Sequence, residues 1–167
     1  MTSLGTTLGL SAFASTQNHA PTFLGFHFLW AYVALASRHL KQWHGIDHQA
    51  SPRYDLAKYG DAAVKAGKLT QKQLEMIQRC DSAHYNSIDN YVLLVGAMGM
   101  ASIAGVEGRM INKAGLVYTA ARIAYSAVYV FVDDPVWSVS RGVFWWVGNA
   151  CCLYLYWRAS AKIGLGA

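Results

Sequence analysis

The chain has 167 residues, 54% of them apolar and only 14% charged, with a formal net charge of +5. A soluble domain ordinarily carries about 25% charged residues, so this composition favours a membrane protein forming one small domain. The positive balance does not indicate nucleic acid: eight of the fourteen Lys and Arg lie between Arg38 and Arg79, interleaved with Asp47, Asp55, Asp61 and Glu75, and no nucleic-acid-binding motif accompanies them.

Met1–His19 is rich in Ser and Thr and lacks a basic start, unlike a cleavable secretory signal, and reads as a short mobile tail. Four segments then read as membrane spans: Pro21–Ser37, Cys80–Ala104, Ala114–Val132 and Val136–Trp157. Crossing about 30 Å of hydrocarbon takes about 20 residues, so the first and third are near the lower limit. Pro21 suits a first helical turn, and Arg38-His39-Leu40-Lys41 closes the first span where its cationic side chains can snorkel to the interface.

Gln42–Lys72 is a long connection, with a turn at Ser51-Pro52 and a short surface helix over Asp55–Ala66. Gly67-Lys68-Leu69-Thr70 ends that helix and sets Thr70 as an N-cap, with Gln73 completing a capping box. The second long helix is thus predicted to start near Gln71 and to run to about Ala104. Gly105–Gly115 is a short loop, and Asp133-Asp134-Pro135 separates the third helix from the fourth. These connections predict an all-α, up-down-up-down bundle. The cations of the long connection place it on the cytosolic side and the N-terminus on the lumenal side.

Candidate chemistry concentrates on the second and third helices. Arg79, Ser82, Asn86 and Asp89 fall at helical spacing beside Tyr85 and Asn90, directly before an apolar run. Polar groups carried into hydrocarbon need partners inside the protein and read as functional by default. Arg122 lies deep in the third helix, on one face with Tyr118, Tyr125 and Tyr129. Asp89 is its expected carboxylate partner, an ion pair that would either act chemically or simply pin the two helices. A phenol in a dry site can donate to a developing oxyanion.

His44, Asp47 and His48 lack a further strong ligand, so no metal site is expected, and His84 stands beside the polar row without an assigned role. Cys80, Cys151 and Cys152 read as apolar packing residues and not as a disulfide. Gly96, Gly99, Gly105 and Gly108 read as sites of close helix packing.

Arg79-Cys80, Ala83-His84-Tyr85-Asn86 and Asp89-Asn90, then Ala121-Arg122, Tyr125 and Tyr129, then Asp134-Pro135-Val136-Trp137-Ser138, follow one another in an order that resembles the MAPEG family, the membrane-associated proteins in eicosanoid and glutathione metabolism. The resemblance implies an integral membrane four-helix protomer, a homotrimer, and residence in the endoplasmic reticulum or a related membrane. It also implies glutathione bound between protomers and used on lipophilic substrates. Asn86 matches the family asparagine, and Asp89 stands where a glutamate usually receives the glutathione amine. Arg122 matches a family arginine, and Tyr125 and Tyr129 match tyrosines of the leukotriene-synthase branch.

Elsewhere the pattern is broken. Ser82 and Tyr85 occupy positions that are arginine in prostaglandin-synthase relatives. Trp137 replaces the arginine expected to activate the thiol, just before the matching Ser138, while Arg141 follows one turn later. Loss of these cations weakens the case for recognising a tripeptide with two carboxylates and for forming its thiolate. The expectation is therefore a membrane enzyme that isomerises or cyclises a lipophilic small molecule and requires no cofactor. Asp89, Arg122, Tyr125 and Tyr129 would be catalytic, with Arg79, Ser82, Tyr85, Asn86, Trp137, Ser138 and Arg141 around the ligand. Two alternatives stand beside it: a glutathione transferase or peroxidase with shifted contacts, and a non-catalytic lipid-binding protein of the same fold.

Overall fold

Thr70 sets the start of the longest helix. Its hydroxyl accepts from the Gln73 amide while the Gln73 side chain accepts from the Thr70 amide, so two donors that a helix start leaves unpaired are both satisfied. In the computed structural model, which describes residues 16–164, all regular structure is helical. In chain order it comprises α1 (Ala20–Leu29), a π-helical turn (Trp30–Ala34), α2 (Arg38–Trp43), α3 (Asp55–Lys65), α4 (Gln71–Ile103), α5 (Gly108–Phe131), α6 (Pro135–Ser138) and α7 (Ser140–Gly164).

Contacts at matched heights give the directions. Ala31 of the π-helical turn and Leu35 just after it meet His84 and Cys80, so α1 and the turn that continues it run against α4. Arg79 meets Val130 and Tyr118 meets Asn90, so α4 runs against α5. Arg141 lies on Tyr129 and Gly148 lies on Tyr118, so α5 runs against α7. The up-down-up-down order is therefore the order found. Its core joins Phe23, Leu94, Met98, Ile111, Tyr118 and Leu155. Gly96 admits the Tyr156 hydroxyl and Gly115 admits the Phe23 ring, and any side chain at either glycine would collide with them. Gly108 packs on the backbone of Thr16–Asn18, whereas Gly99 has open space and Gly105 serves a turn at φ +70°.

Two helical stretches, Ala20–Trp43 and Gly108–Phe131, are long and apolar enough to cross a membrane. In α4 the polar residues Asn86, Asp89 and Asn90 stand directly before the apolar half of the helix.

Several expectations need correction. The first span is not one uniform helix to Ser37: it widens at Trp30–Ala34 and breaks before α2. The Leu35 amide reaches back to the Trp30 carbonyl, which releases the Ala31 carbonyl to accept from His84 Nδ1 at 2.8 Å. His84 thus serves to join α1 and α4. The third helix begins at Gly108, earlier than expected, and the fourth is kinked between α6 and α7.

Lys41 does not snorkel. It is buried, and its ammonium donates to the Pro52 carbonyl at 2.5 Å beside Asp55. Asp55 also accepts from the amide and ring of His48, which stacks on Tyr59. The long connection is consequently a folded layer, with Ile46, Leu56, Ala63 and Leu69 packed on Leu74 and Ile77 of α4. Residues 1–15 of the expected tail lie outside the described residues. His19 and Gln17, by contrast, are tied through their backbone to buried Asn112, and Asn18 bonds Ser102.

Thr70→Ala should cost about 1 kcal/mol through loss of the cap. Hydrogen exchange should show faster exchange at the first amides of α4, with α5 unchanged.

Candidate functional site

The core face of α4 repeats as Cys80, Ala83, Ser87, Asn90 and Leu94, all buried. Small or polar groups at this spacing let a long side chain from α5 lie against the helix. Arg122 takes that place. It is 1% exposed, and its Nη2 donates to the Asn86 carbonyl and the Ser87 hydroxyl, each at 3.2 Å. Gly148 of α7 opens the other side, where a Cβ would sit 3.4 Å from Arg122 Cδ. Arg122 Nη1 is buried without a hydrogen-bond partner, as are Asn90 Oδ1 and Asn149 Oδ1.

From Arg122 a row of alternating charge and ring runs toward the α5–α7 connection. The Arg122 guanidinium lies 4.3 Å from the centre of the Tyr125 ring. Tyr125 and Tyr129 meet edge to face at 5.5 Å, and the Arg141 guanidinium lies 4.5 Å from the Tyr129 ring. Each contact is a cation–π or aromatic pair favoured by ring quadrupoles. Neither phenol hydroxyl makes a hydrogen bond among the described residues; Tyr125 is buried and Tyr129 half-buried. A row of two phenols held between two guanidiniums is suited to stabilising negative charge on an oxygen or sulfur.

Asp89 does not join this row. The ion pairs among the described residues involve Asp47 and Asp55. Asp89 is exposed on another face of α4, and the expected Asp89–Arg122 pair is therefore absent within the protomer. Two residues of offset from Ser87 turn the carboxylate away from α5. It lines instead a pocket of about 360 Å³ with Arg38, Arg53, Asp81, His84 and Tyr85. There Arg38 is engaged by Asp47, and Ser37 bonds Asp81. Arg53 reaches over the Tyr85 ring at 5.9 Å.

The other predicted residues take supporting positions. Arg79 donates to the Val130 carbonyl at 3.1 Å, placing a cation at the C-terminal end of α5. Ser82 and Asn86 bond the carbonyls one turn back, at Gln78 and Ser82. Trp137 is 72% exposed, Ser138 bonds Pro135, and among the described residues neither makes a hydrogen bond or ring contact with the row. Three contributors were not expected. Ser87 and Gly148 have a signal in the spacing of small residues along the core faces, whereas Arg53 arrives from a distant turn and has none.

The corrected contacts make a direct comparison. Ser87→Ala should destabilise by about 1.5–3 kcal/mol, since it removes a hydrogen bond to a buried cation. Asp89→Asn should stay within about 0.5 kcal/mol as a surface change. Thermal unfolding in one detergent checks both.

The MAPEG family model matches residues 19–161, nearly the whole described chain. Comparisons with curated proteins and with solved structures give no significant match. Over that span the chain belongs to the MAPEG family.

Proposed function

We propose that the protein is a membrane enzyme that isomerises or cyclises a lipophilic small molecule by polarising one of its oxygens at the Tyr125–Tyr129 row. The observation that carries this reading is the pair of unbonded phenols between Arg122 and Arg141. A carbonyl, epoxide or enol oxygen placed there would receive a phenol hydrogen bond as charge developed. The flanking guanidiniums would stabilise that charge without being desolvated anew during the reaction. Rearrangement is redox-neutral and intramolecular, so it asks for no co-substrate. The proposed setting is a four-span protomer within a homotrimer of the endoplasmic reticulum or a related membrane, with the α2–α3 layer cytosolic. Its cation-rich sequence supports that orientation, and exposed Val143, Trp146 and Leu153 on α7 support contact with lipid.

A second reading, glutathione transfer or peroxide reduction, is favoured by Arg53 and Arg141, which bring cations near positions where the family's own are missing. Glutathione offers one ammonium, two carboxylates and a thiol. Exposed Asp89 suits the ammonium and Arg53 suits one carboxylate, while Arg38 and Lys41 are already engaged. The residues thus fit part of the tripeptide. When bound, glutathione would supply a thiol nucleophile or reductant; Asp89 and Arg53 would orient its ends, and Arg141 with Tyr129 would face the charge.

Two measurements separate the readings. Metabolites compared between cells expressing the wild type and Tyr129→Phe should contain a precursor and product of equal mass. The conversion should fall by about 10²–10³-fold in the variant, as expected for loss of one oxyanion donor. Calorimetry with glutathione should show no binding. Micromolar binding accompanied by conjugation would replace the lead reading with the second, and ligand retention without any conversion would indicate a binding protein.

A further inference from the structure

At the end of the bundle opposite the α2–α3 layer, α5 and α7 line an open groove of about 570 Å³, with Val117, Val147, Cys151 and Tyr154 among its lining. Its mouth carries Arg109 and Lys113. These cations stand four residues apart on α5, so they share one face and repel each other. Neither makes an ion pair or hydrogen bond among the described residues, although buried Asn112 beside them is bonded through both its oxygen and its nitrogen. Arg158 and Lys162 lie toward the same end of the bundle.

The groove gives way along α7 to an open apolar strip, which shares Val147 and Ala150 with it and runs past Trp146 and Val143 to Val139 with no charged residue. From Tyr154 to Val139 the helix rises about 22 Å at 1.5 Å per residue, more than half of a hydrocarbon core about 30 Å thick. Tyr154 meets Trp157, itself 63% exposed, at the cationic end. Aromatic side chains of this kind mark the headgroup level of a bilayer.

We infer that the α5–α7 trough is a binding site for an anionic phospholipid, whose phosphate is held by Arg109 and Lys113 and whose acyl chain lies along Val147 toward Val139. Charge complementarity selects the headgroup, because the unpaired cations stand at one end only and the rest of the trough is apolar. The inference rests on the membrane reading above and is independent of the reaction proposed for the tyrosine row.

The test uses the full chain in nanodiscs of phosphatidylglycerol and phosphatidylcholine at one to nine, with retained lipid identified by native mass spectrometry. Incorporation into the discs is read first, and its failure would overturn the membrane reading together with the lipid site. With incorporation, the ratio of phosphatidylglycerol to phosphatidylcholine in retained lipid should exceed that of the disc by about thirtyfold, the preference expected for two interfacial cations. Arg109→Gln with Lys113→Gln should abolish the enrichment, and Arg109→Lys with Lys113→Arg should keep it, which separates charge from folding. Ala150→Phe, which fills the trough and spares the cations, should lower it several-fold. No enrichment, enrichment indifferent to the glutamine pair, or enrichment indifferent to Ala150→Phe would each overturn the site.

Discussion

The bundle is organised around a guanidinium buried where water cannot reach it. An ionised side chain in such a place is tolerated only if protein groups replace its hydration. Arg122 obtains these from the Asn86 carbonyl, the Ser87 hydroxyl and the face of Tyr125. To supply them, α4 must present small polar residues toward α5, and α7 must carry a glycine at 148. The spacing of three helices is thereby set by one side chain. The tyrosines continue from this fixed point, so the orientation of the row follows from the same constraint.

Around that centre the chain uses side chains to close gaps left by its backbone. Asn112 ties the segment before α1 to α5 through one acceptor and one donor. Asp55 gathers Lys41 and His48 into the layer that covers the start of α4. Arg79 meets a carbonyl near the end of α5. Each is a buried or half-buried polar group with a defined partner.

Boundaries governed by local chemistry were legible in the sequence. Thr70 with Gln73 marked the start of α4, and Asp134-Pro135 marked a new helix, where the Asp134 carboxylate accepts from the amides of Val136 and Trp137. The tyrosine face was legible because helical spacing brings Tyr125 and Tyr129 together. The partner of Arg122 was not. Asp89 is the obvious partner by charge, but Ser87 and a backbone carbonyl are the partners by position, and backbone acceptors leave no mark in a sequence. Arg53 over Tyr85 was equally hidden, since it depends on how an entire connection folds back.

The π-helical turn of α1 has a geometric effect beyond the carbonyl it frees. One residue added to a turn advances everything after it by about 100° around the axis. Residues before Trp30 and residues after Ala34 therefore follow two different angular phases, as though two helices had been spliced end to end. The first phase directs Phe23 and His27 toward α5, at Gly115 and Thr119. The second brings the Leu35 carbonyl to Cys80 of α4. A single continuous rod would have to divide one stripe between both neighbours; the splice lets each half keep its own.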